Sequence, residues 1–189
     1  MFMLWIFVFQ IPGCPGLGTS QNLNFLTSKL PTGQGSWPAF WMLPSINSVD
    51  WPSRGEIDIM EAINLGGSGN GTIHGTAHFG DPHTYLGGSD IISDVNAFNT
   101  YAVEWYPDEI RWFLNGNQYY QLSQDRWFSS DAPGDTNAPF DQNFHLILNF
   151  AVGGQWPGNS DGQNFPRQME VDYVRVYECP GNDYSACKQ

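Results

Sequence analysis

Short runs of aromatic and β-branched residues, each closed by turn residues, recur from Lys29 to Glu178 and most limit the folds open to this chain. One such run, 36–43, ends at Pro44, and another, 56–61, runs into a Gly-rich tract. Short runs with turns between them predict β-strands rather than helices. The only helical segment that we predict is a turn or two near 94–98.

Further strands are predicted at 72–79, 101–106, 110–114, 118–122, 144–152 and 169–178. The Asn115-Gly116 step between two of them is a strong hairpin signal, because both residues accept the positive φ of a tight turn. The nearly continuous apolar run 144–152 predicts a strand buried on both faces. A chain of 189 residues suffices for one domain. We therefore predict an all-β fold, an antiparallel β-sandwich of two stacked sheets.

The charge balance argues against a polyanionic partner. Seven Lys and Arg stand against 19 Asp and Glu, which gives a formal net charge of −12. This field repels nucleic acid, so we expect no nucleic-acid binding. Aromatic residues make up 15% of the chain, and together with the scarcity of cations they suit a neutral ligand with apolar faces, such as a sugar.

Cysteines and the N-terminus leave alternatives open. Cys179 and Cys187 lie close in sequence and either pair or remain surface thiols. The apolar run 2–9 and the motif 11–14, which ends at Cys14, loosely resemble a lipoprotein signal, but no Lys or Arg precedes them. The alternative is a misplaced start. The run is too short for a membrane-spanning helix, so we predict no transmembrane segment.

Three acids crowd the run Gly55-Glu-Ile-Asp-Ile-Met-Glu61. On an extended strand Glu56 and Asp58 point to one face, whereas Glu61 falls on the other. One β-bulge near Met60 would bring all three onto the same face. Two such carboxyls at ~5–5.5 Å carry out retaining glycoside hydrolysis. The pattern by itself equally fits an exposed acidic edge or a calcium-binding face.

The segment Trp51-Pro-Ser-Arg-Gly-Glu-Ile-Asp-Ile-Met-Glu61 resembles the active-site strand of family 16 glycoside hydrolases, in the form typical of laminarinases, agarases and κ-carrageenases. Segments 29–43, 75–79, 104–106, 148–154, 156–157 and 171–177 match the same family in the same order. The resemblance implies a jelly-roll, concanavalin A-like catalytic domain at 29–178, followed by a tail at 179–189. It leaves 1–28 unmatched, so we expect this chain to lack the family's N-terminal strands.

The resemblance also implies a secreted enzyme, extracellular or in the cell envelope, that cleaves internal β-1,3 linkages of laminarin-like glucan with retention. Glu56 is then the nucleophile, Glu61 the general acid/base and Asp58 the assisting carboxylate. No organic cofactor is needed, and we expect a monomer. Alternatives are the same chemistry on agarose, carrageenan or mixed-linkage glucan, or a non-catalytic β-glucan-binding protein or inactive fragment on the same fold.

Sugar contacts are predicted from side chains that offer flat faces or hydrogen bonds. The aromatic candidates are Trp37, Trp41, Trp51 and Trp156, each with a place in the sandwich core as its alternative. The polar candidates are His78, Asn149 and Gln155. By resemblance His78 contacts either a catalytic carboxylate or a sugar hydroxyl, whereas the other three histidines are assigned no role. Trp105 and Trp112 are predicted to lie in the core. By resemblance Asp172 is a ligand of a structural calcium ion, with a solvated side chain as the alternative.

Overall fold

The computed structural model describes residues 6–10, 22–45, 49–162, 166–179 and 187–188. Its regular elements are almost all strands, joined by turns and loops. In chain order they are β1 (Ile6–Gln10), β2 (Asn22–Lys29), β3 (Ser36–Pro44), β4 (Glu56–Ala62), β5 (Thr72–Phe79), β6 (Thr84–Ile91), β7 (Asn99–Trp105), β8 (Glu109–Leu114), β9 (Asn117–Ser123), β10 (Phe144–Val152) and β11 (Glu170–Glu178).

Two antiparallel sheets carry these strands. The six-stranded sheet has the order β1-β10-β3-β4-β5-β6, and the five-stranded sheet has the order β11-β2-β7-β8-β9. The sheets enclose one apolar core between them. This arrangement is the predicted all-β sandwich, and the structure confirms the fold class.

Side chains alternate along the strands between the core and the opposite face. In β5, Ile73 and Phe79 are fully buried, whereas the intervening even-numbered residues are half-buried. Tyr101 and Trp112 fill the core from the five-stranded sheet, and Trp105 is buried there too, as predicted for both tryptophans. Facing apolar side chains thus hold the two sheets together through the hydrophobic effect.

A β-bulge interrupts β4 where the sequence predicts it. Against β3, Met60 pairs with Phe40 and Asp58 pairs with Trp41, so that Ile59 has no partner. The pairing of β4 with β5 shifts at the same place. Both Ile59 and Met60 are buried. The bulge therefore changes the parity of the strand between Asp58 and Glu61.

Three strands were not predicted. β1 lies within the segment 1–28, and β2 begins there and ends at Lys29. β1 pairs with β10, whereas β2 pairs with both β7 and β11. β6 extends the six-stranded sheet beyond β5. The domain boundaries proposed from the sequence stay predictions.

Two sequence interpretations are corrected. Residues 94–98 form a turn rather than a helix, in which the Asp94 carboxylate accepts the Asn96 N–H at 2.9 Å. The only helical element among the described residues is the 3-10 turn Gln124–Arg126. β10 is mostly buried as far as Leu148 but only half-buried from Asn149 to Val152, because its second half borders an open face.

The C-terminal residues return to the five-stranded sheet. Cys179 and Cys187 form a disulfide. Lys188 Nζ contacts carboxylate oxygens of Asp108 at 3.0 Å and Glu109 at 2.6 Å, at the turn between β7 and β8. Cys14 and the motif 11–14 lie outside the described residues. Within the described parts of the chain, no helix is long and apolar enough to cross a membrane.

Candidate active site

The three acids of β4 stand on the open face of the six-stranded sheet. Each pairs with a residue of β5 that faces away from the core: Glu56 with His78, Asp58 with Thr76, and Glu61 with His74. The even-numbered β5 residues share one face, so their three partners share it as well. The bulge at Ile59 is what brings Glu61 to this face, as predicted. The structure therefore assembles the three acids in one open site.

Each glutamate is held by an indole N–H. Trp51 Nε1 donates to Glu56 Oε2 at 2.8 Å, and Trp37 Nε1 donates to Glu61 Oε1 at 2.9 Å. Hydrogen bonds to a carboxylate fix its orientation and favour its ionised form. Both glutamates are thus oriented by tryptophans that the sequence predicts as sugar contacts.

Asp58 lies deeper, beneath the two glutamates. It is 3% exposed, and its Oδ2 lies 3.0 Å from His78 Nε2. The other ring nitrogen of His78, Nδ1, lies 2.9 Å from His83 Nε2. A chain of polar contacts therefore runs from the buried Asp58 through His78 to the exposed His83.

Burial governs the protonation of this cluster. It raises the pKa of Glu56 from 4.5 to about 8, with the nearby charge of Asp58 as the second cause. Burial and the charge of Glu61 raise the pKa of Asp58 well above its usual value, and burial raises the pKa of Glu61. Burial lowers the pKa of His78, which favours a neutral imidazole. Burial therefore keeps protons on this cluster to higher pH than on ordinary carboxyls, and the interacting acids titrate as one group.

One ligand atom each from Glu56, Asp58 and His78 lies within 4.8 Å of the others, which is close enough for a cation. Cation binding needs ionised carboxylates, whereas burial favours their protonated forms here. The arrangement is better suited to moving protons than to holding an ion.

The aromatic candidates surround the acids. Trp37 and Trp156 meet edge to face, with ring centroids 5.6 Å apart. Trp51 and Trp156 are 46% and 43% exposed, so both offer ring surface to a ligand. Trp41 is half-buried, and its Nε1 donates to Asn149 Oδ1 at 2.7 Å. None of the four lies in the sandwich core.

The remaining predicted residues divide between the site and the rest of the surface. Asn149 pairs with Ala39, which in turn pairs with Glu61, so it borders the acids. Gln155 lies in an exposed turn next to Trp156. Asp172 lies on β11, in the other sheet, exposed at a β-bulge. Among the described residues, Asp172 belongs to no group of three acidic, His or Cys side chains close enough together to hold a metal ion.

Three further residues of this face were not predicted from the sequence. His74 contacts the Trp156 ring at 5.1 Å, His83 contacts Trp51 at 4.7 Å, and Tyr85 lies 5.8 Å from both His78 and His83. Alternation along 72–79 places His74 on the face of His78, so that signal was available. His83 and Tyr85 depend on the pairing of β6 with β5, and β6 was not predicted.

Comparison with known families divides the chain into two overlapping parts. A family model described as "XgeA-like, catalytic GH16 domain" matches residues 25–87, which include the three acids. A second model, "Beta-glucan synthesis-associated protein SKN1/KRE6/Sbg1", matches residues 83–189.

Individual relatives agree with the first model. The chain is 44% identical over 159 residues to a "Beta-glucanase" from Rhodothermus marinus, covering 80% of this chain and 55% of the relative. It is 43% identical over 168 residues to "Glucan endo-1,3-beta-glucosidase A1" from Niallia circulans, covering 80% of this chain and 23% of the relative. The chain thus spans about half or less of the length of these two relatives.

A solved structure extends the likeness to three dimensions. The laminarinase from Rhodothermus marinus superimposes with a TM-score of 0.73 at 35% identity, over 92% of this chain and 77% of that one. The shared fold, the level of identity and the match across the acidic strand support one conclusion. The chain belongs to glycoside hydrolase family 16.

Proposed function

We propose that this chain is an endo-acting β-1,3-glucanase that hydrolyses laminarin-like glucan with retention, using Glu56 as nucleophile and Glu61 as general acid/base. The observation that carries the proposal is the pair of glutamates on one face of β4, each oriented by its own indole N–H. Asp58 lies between them in the strand, hydrogen-bonds to Glu56 and interacts with the charges of both glutamates.

Two displacements account for retention. In the first, the ionised Glu56 attacks the anomeric carbon while the glycosidic C–O bond breaks and the leaving oxygen takes the proton of Glu61. In the second, Glu61 accepts a proton from water, and the resulting oxygen nucleophile displaces Glu56 from the same carbon. The catalytic groups are side chains alone, so no organic cofactor takes part.

The raised pKa of both glutamates supports a pair that keeps a proton available for catalysis, whereas the choice of Glu56 as nucleophile rests on its place in the motif. Burial keeps a proton on the cluster near neutral pH, which the departing oxygen requires. Because the carboxyls repel one another, ionising one favours protonation of the next. A single proton shared in this way leaves one carboxylate free to attack.

The chemistry of the cleft favours a neutral glucan. Its exposed rings, Trp51 and Trp156, suit the apolar faces of glucose units. Sulfated galactans such as carrageenan would call for cations near the acids, and the residues that pair with the acids on β5 are His78, Thr76 and His74. The relatives named as β-1,3-glucanases support the same linkage.

Product release tests the proposal. Laminarin, lichenan and agarose are each incubated with the chain and with its Glu56→Gln variant, and products are separated by size and linkage. We expect short β-1,3 oligosaccharides from laminarin with the parent and none with the variant. Laminarin bound but not cleaved by the parent would indicate a glucan-binding protein, and cleavage by Glu56→Gln would refute the nucleophile assignment.

Three further parts of the proposal concern the whole protein. The Cys179–Cys187 disulfide supports an oxidising, extracellular location. We expect a monomer, which light scattering would check. The described residues do not assemble a calcium site around Asp172. The calcium therefore stays a prediction, which fails if EDTA and excess calcium give the same unfolding temperature.

A further inference from the structure

Three cross-strand rows define the open face around the acids. Because paired residues of neighbouring strands point to the same face, each acid begins a row that crosses β5 and ends on the edge strand β6. The rows are the Glu56 row (Glu56, His78, Tyr85), the Asp58 row (Asp58, Thr76, Gly87) and the Glu61 row (Glu61, His74, Ser89).

The Asp58 row forms a trough between the other two. It ends in Gly87, which has no side chain, whereas Tyr85 and Ser89 stand on either side of it along β6. A Cβ atom at Gly87 would meet the backbone of Gly75 and Thr76. Close strand contact thus requires glycine here, and the trough stays open from between the two glutamates to the edge of the sheet.

Tyr85 stands beside the open end of this trough. It is 65% exposed, yet its ring lies 5.8 Å from the rings of both His78 and His83. The ring is therefore held in place on one side and open on the other. At ~4.8 Å between neighbouring strands, its backbone lies about 10 Å from that of Glu56, beyond the reacting carboxyls.

A ring held in this way lowers the entropy lost when a ligand stacks on it. Trp51, 46% exposed, contacts His83 at 4.7 Å and continues the aromatic surface back to Glu56. We call Trp51, His83 and Tyr85 the aromatic shelf. It offers apolar ring faces and no fixed cation, which are the properties that bind a neutral sugar ring.

We propose that Tyr85 and Gly87 form an additional sugar-binding subsite, in which a glucosyl unit beyond the reacting pair crosses Gly87 and stacks on Tyr85. This inference rests on the proposed function, because it assumes that a glucan chain lies across the acids. A substrate must then be long enough to reach from the glutamates to β6 before Tyr85 contributes to its binding.

The test measures binding against chain length. Calorimetry with the Glu56→Gln protein compares a β-1,3-linked trisaccharide with a heptasaccharide, with and without Tyr85→Ala. We expect Tyr85→Ala to weaken heptasaccharide binding about three- to tenfold and trisaccharide binding less than twofold. Tyr85→Phe, which keeps the ring, should bind both like the Glu56→Gln parent.

Tyr177→Ala is the matched control. Tyr177 is also exposed, at 49%, but lies on β11 of the five-stranded sheet. Equal losses from Tyr85→Ala and Tyr177→Ala would overturn the subsite, and so would unchanged heptasaccharide binding or equal losses for both oligosaccharides. If the Glu56→Gln protein bound neither oligosaccharide, the proposed function itself would fail, and the two failures are thus distinguishable.

Discussion

Glu56 and Glu61 are chemically identical side chains, and their surroundings on this face are also alike. Both are half-buried, both accept an indole N–H, and burial raises the pKa of both. Neither geometry nor charge therefore distinguishes the nucleophile from the acid/base. The distinction comes from their order in the motif, and kinetics can test it.

A substrate with a good leaving group separates the two roles. An aryl β-glucoside oligomer whose phenol leaves without protonation does not need an acid for its first step. Glu61→Gln should then keep a burst of phenol release while losing about 100- to 10,000-fold activity on laminarin. In Glu56→Gln, phenol release and activity on laminarin should both fall by more than about a thousandfold. Stopped-flow absorbance measures the burst, and a burst in Glu56→Gln instead would reverse the assignment.

The buried carboxyls also predict how stability depends on pH. Burial raises the folded-state pKa of Glu56 to about 8 from an ordinary 4.5. The stabilising contribution of the protonated form is complete below pH 4.5 and is lost as pH rises toward 8, because the unfolded chain releases this proton more readily. The contribution of Glu56 should therefore lower the unfolding temperature between pH 5 and pH 8.

Glu56→Gln tests this cause directly, because glutamine has similar shape and no charge to bury. The variant should show a shallower fall in unfolding temperature over the same range and be more stable than the parent at pH 8. Differential scanning calorimetry at several pH values measures both. Parallel curves for parent and variant would mean that Glu56 is not the titrating group.

At the scale of single elements, the bulge of β4 depends on a contact from the opposite sheet. Trp112 of β8 is fully buried, and its Nε1 donates to the backbone carbonyl of Asp58 at 2.8 Å. Gly75 of β5 leaves room for this ring, since a Cβ there would meet Trp112. The contact fixes the backbone where the strand departs from regular pairing.

Trp112→Phe removes this hydrogen bond while keeping an aromatic ring. An unsatisfied buried carbonyl costs about 1–3 kcal/mol, so urea unfolding should show a loss of that size or greater, since a smaller ring adds a packing loss. Because the carbonyl belongs to Asp58, we also expect lower kcat on laminarin.

Trp105→Phe provides the matched control. Trp105 is likewise buried and donates to a backbone carbonyl, that of Phe140, at 3.0 Å. The Trp105→Phe variant should lose a similar free energy of unfolding and keep its kcat on laminarin. Equal kcat losses in both variants would show that general destabilisation, rather than the bulge, lowers activity.

The elements show which features a sequence pattern can predict. The bulge followed from the parity of Glu56, Asp58 and Glu61, which is local information. By contrast, β6 contains Gly87 and Gly88, which disfavour strands in isolation, and it becomes a strand because β5 supplies its hydrogen bonds. The role of Trp112 could not be predicted either, because it depends on how two sheets pack.

At the scale of the molecule, the strands β1 and β2 could not be predicted from the sequence. The alternation in β2 is irregular, and its strand character depends on pairing with β7 and β11. Such pairings join segments distant in sequence, and no local pattern encodes them. The fold class could still be predicted because most strands carry their own alternation and turn signals.

The distribution of cations is also a property of the whole molecule. All seven belong to described residues, and none lies in the three rows of the open face: they are Lys29, Arg54, Arg111, Arg126, Arg167, Arg175 and Lys188. Several are paired with acids, such as Lys29 with Glu170 at 3.1 Å. The rows of the open face therefore have no fixed positive charge to attract an anion, within a chain whose net charge is −12.

This distribution predicts that a neutral and an anionic β-1,3-glucan are cleaved at different rates and that the difference depends on salt. A carboxymethylated β-1,3-glucan should be cleaved at least about tenfold more slowly than laminarin at low ionic strength, because the protein's net charge repels it. The Debye length falls from about 30 Å at 0.01 M salt to about 8 Å at 0.15 M. Added salt should thus narrow the gap, while laminarin cleavage stays nearly constant. If the carboxymethyl groups were excluded sterically, the difference between the two cleavage rates would not depend on salt. Equal cleavage rates for the two glucans at low salt would contradict the electrostatic argument.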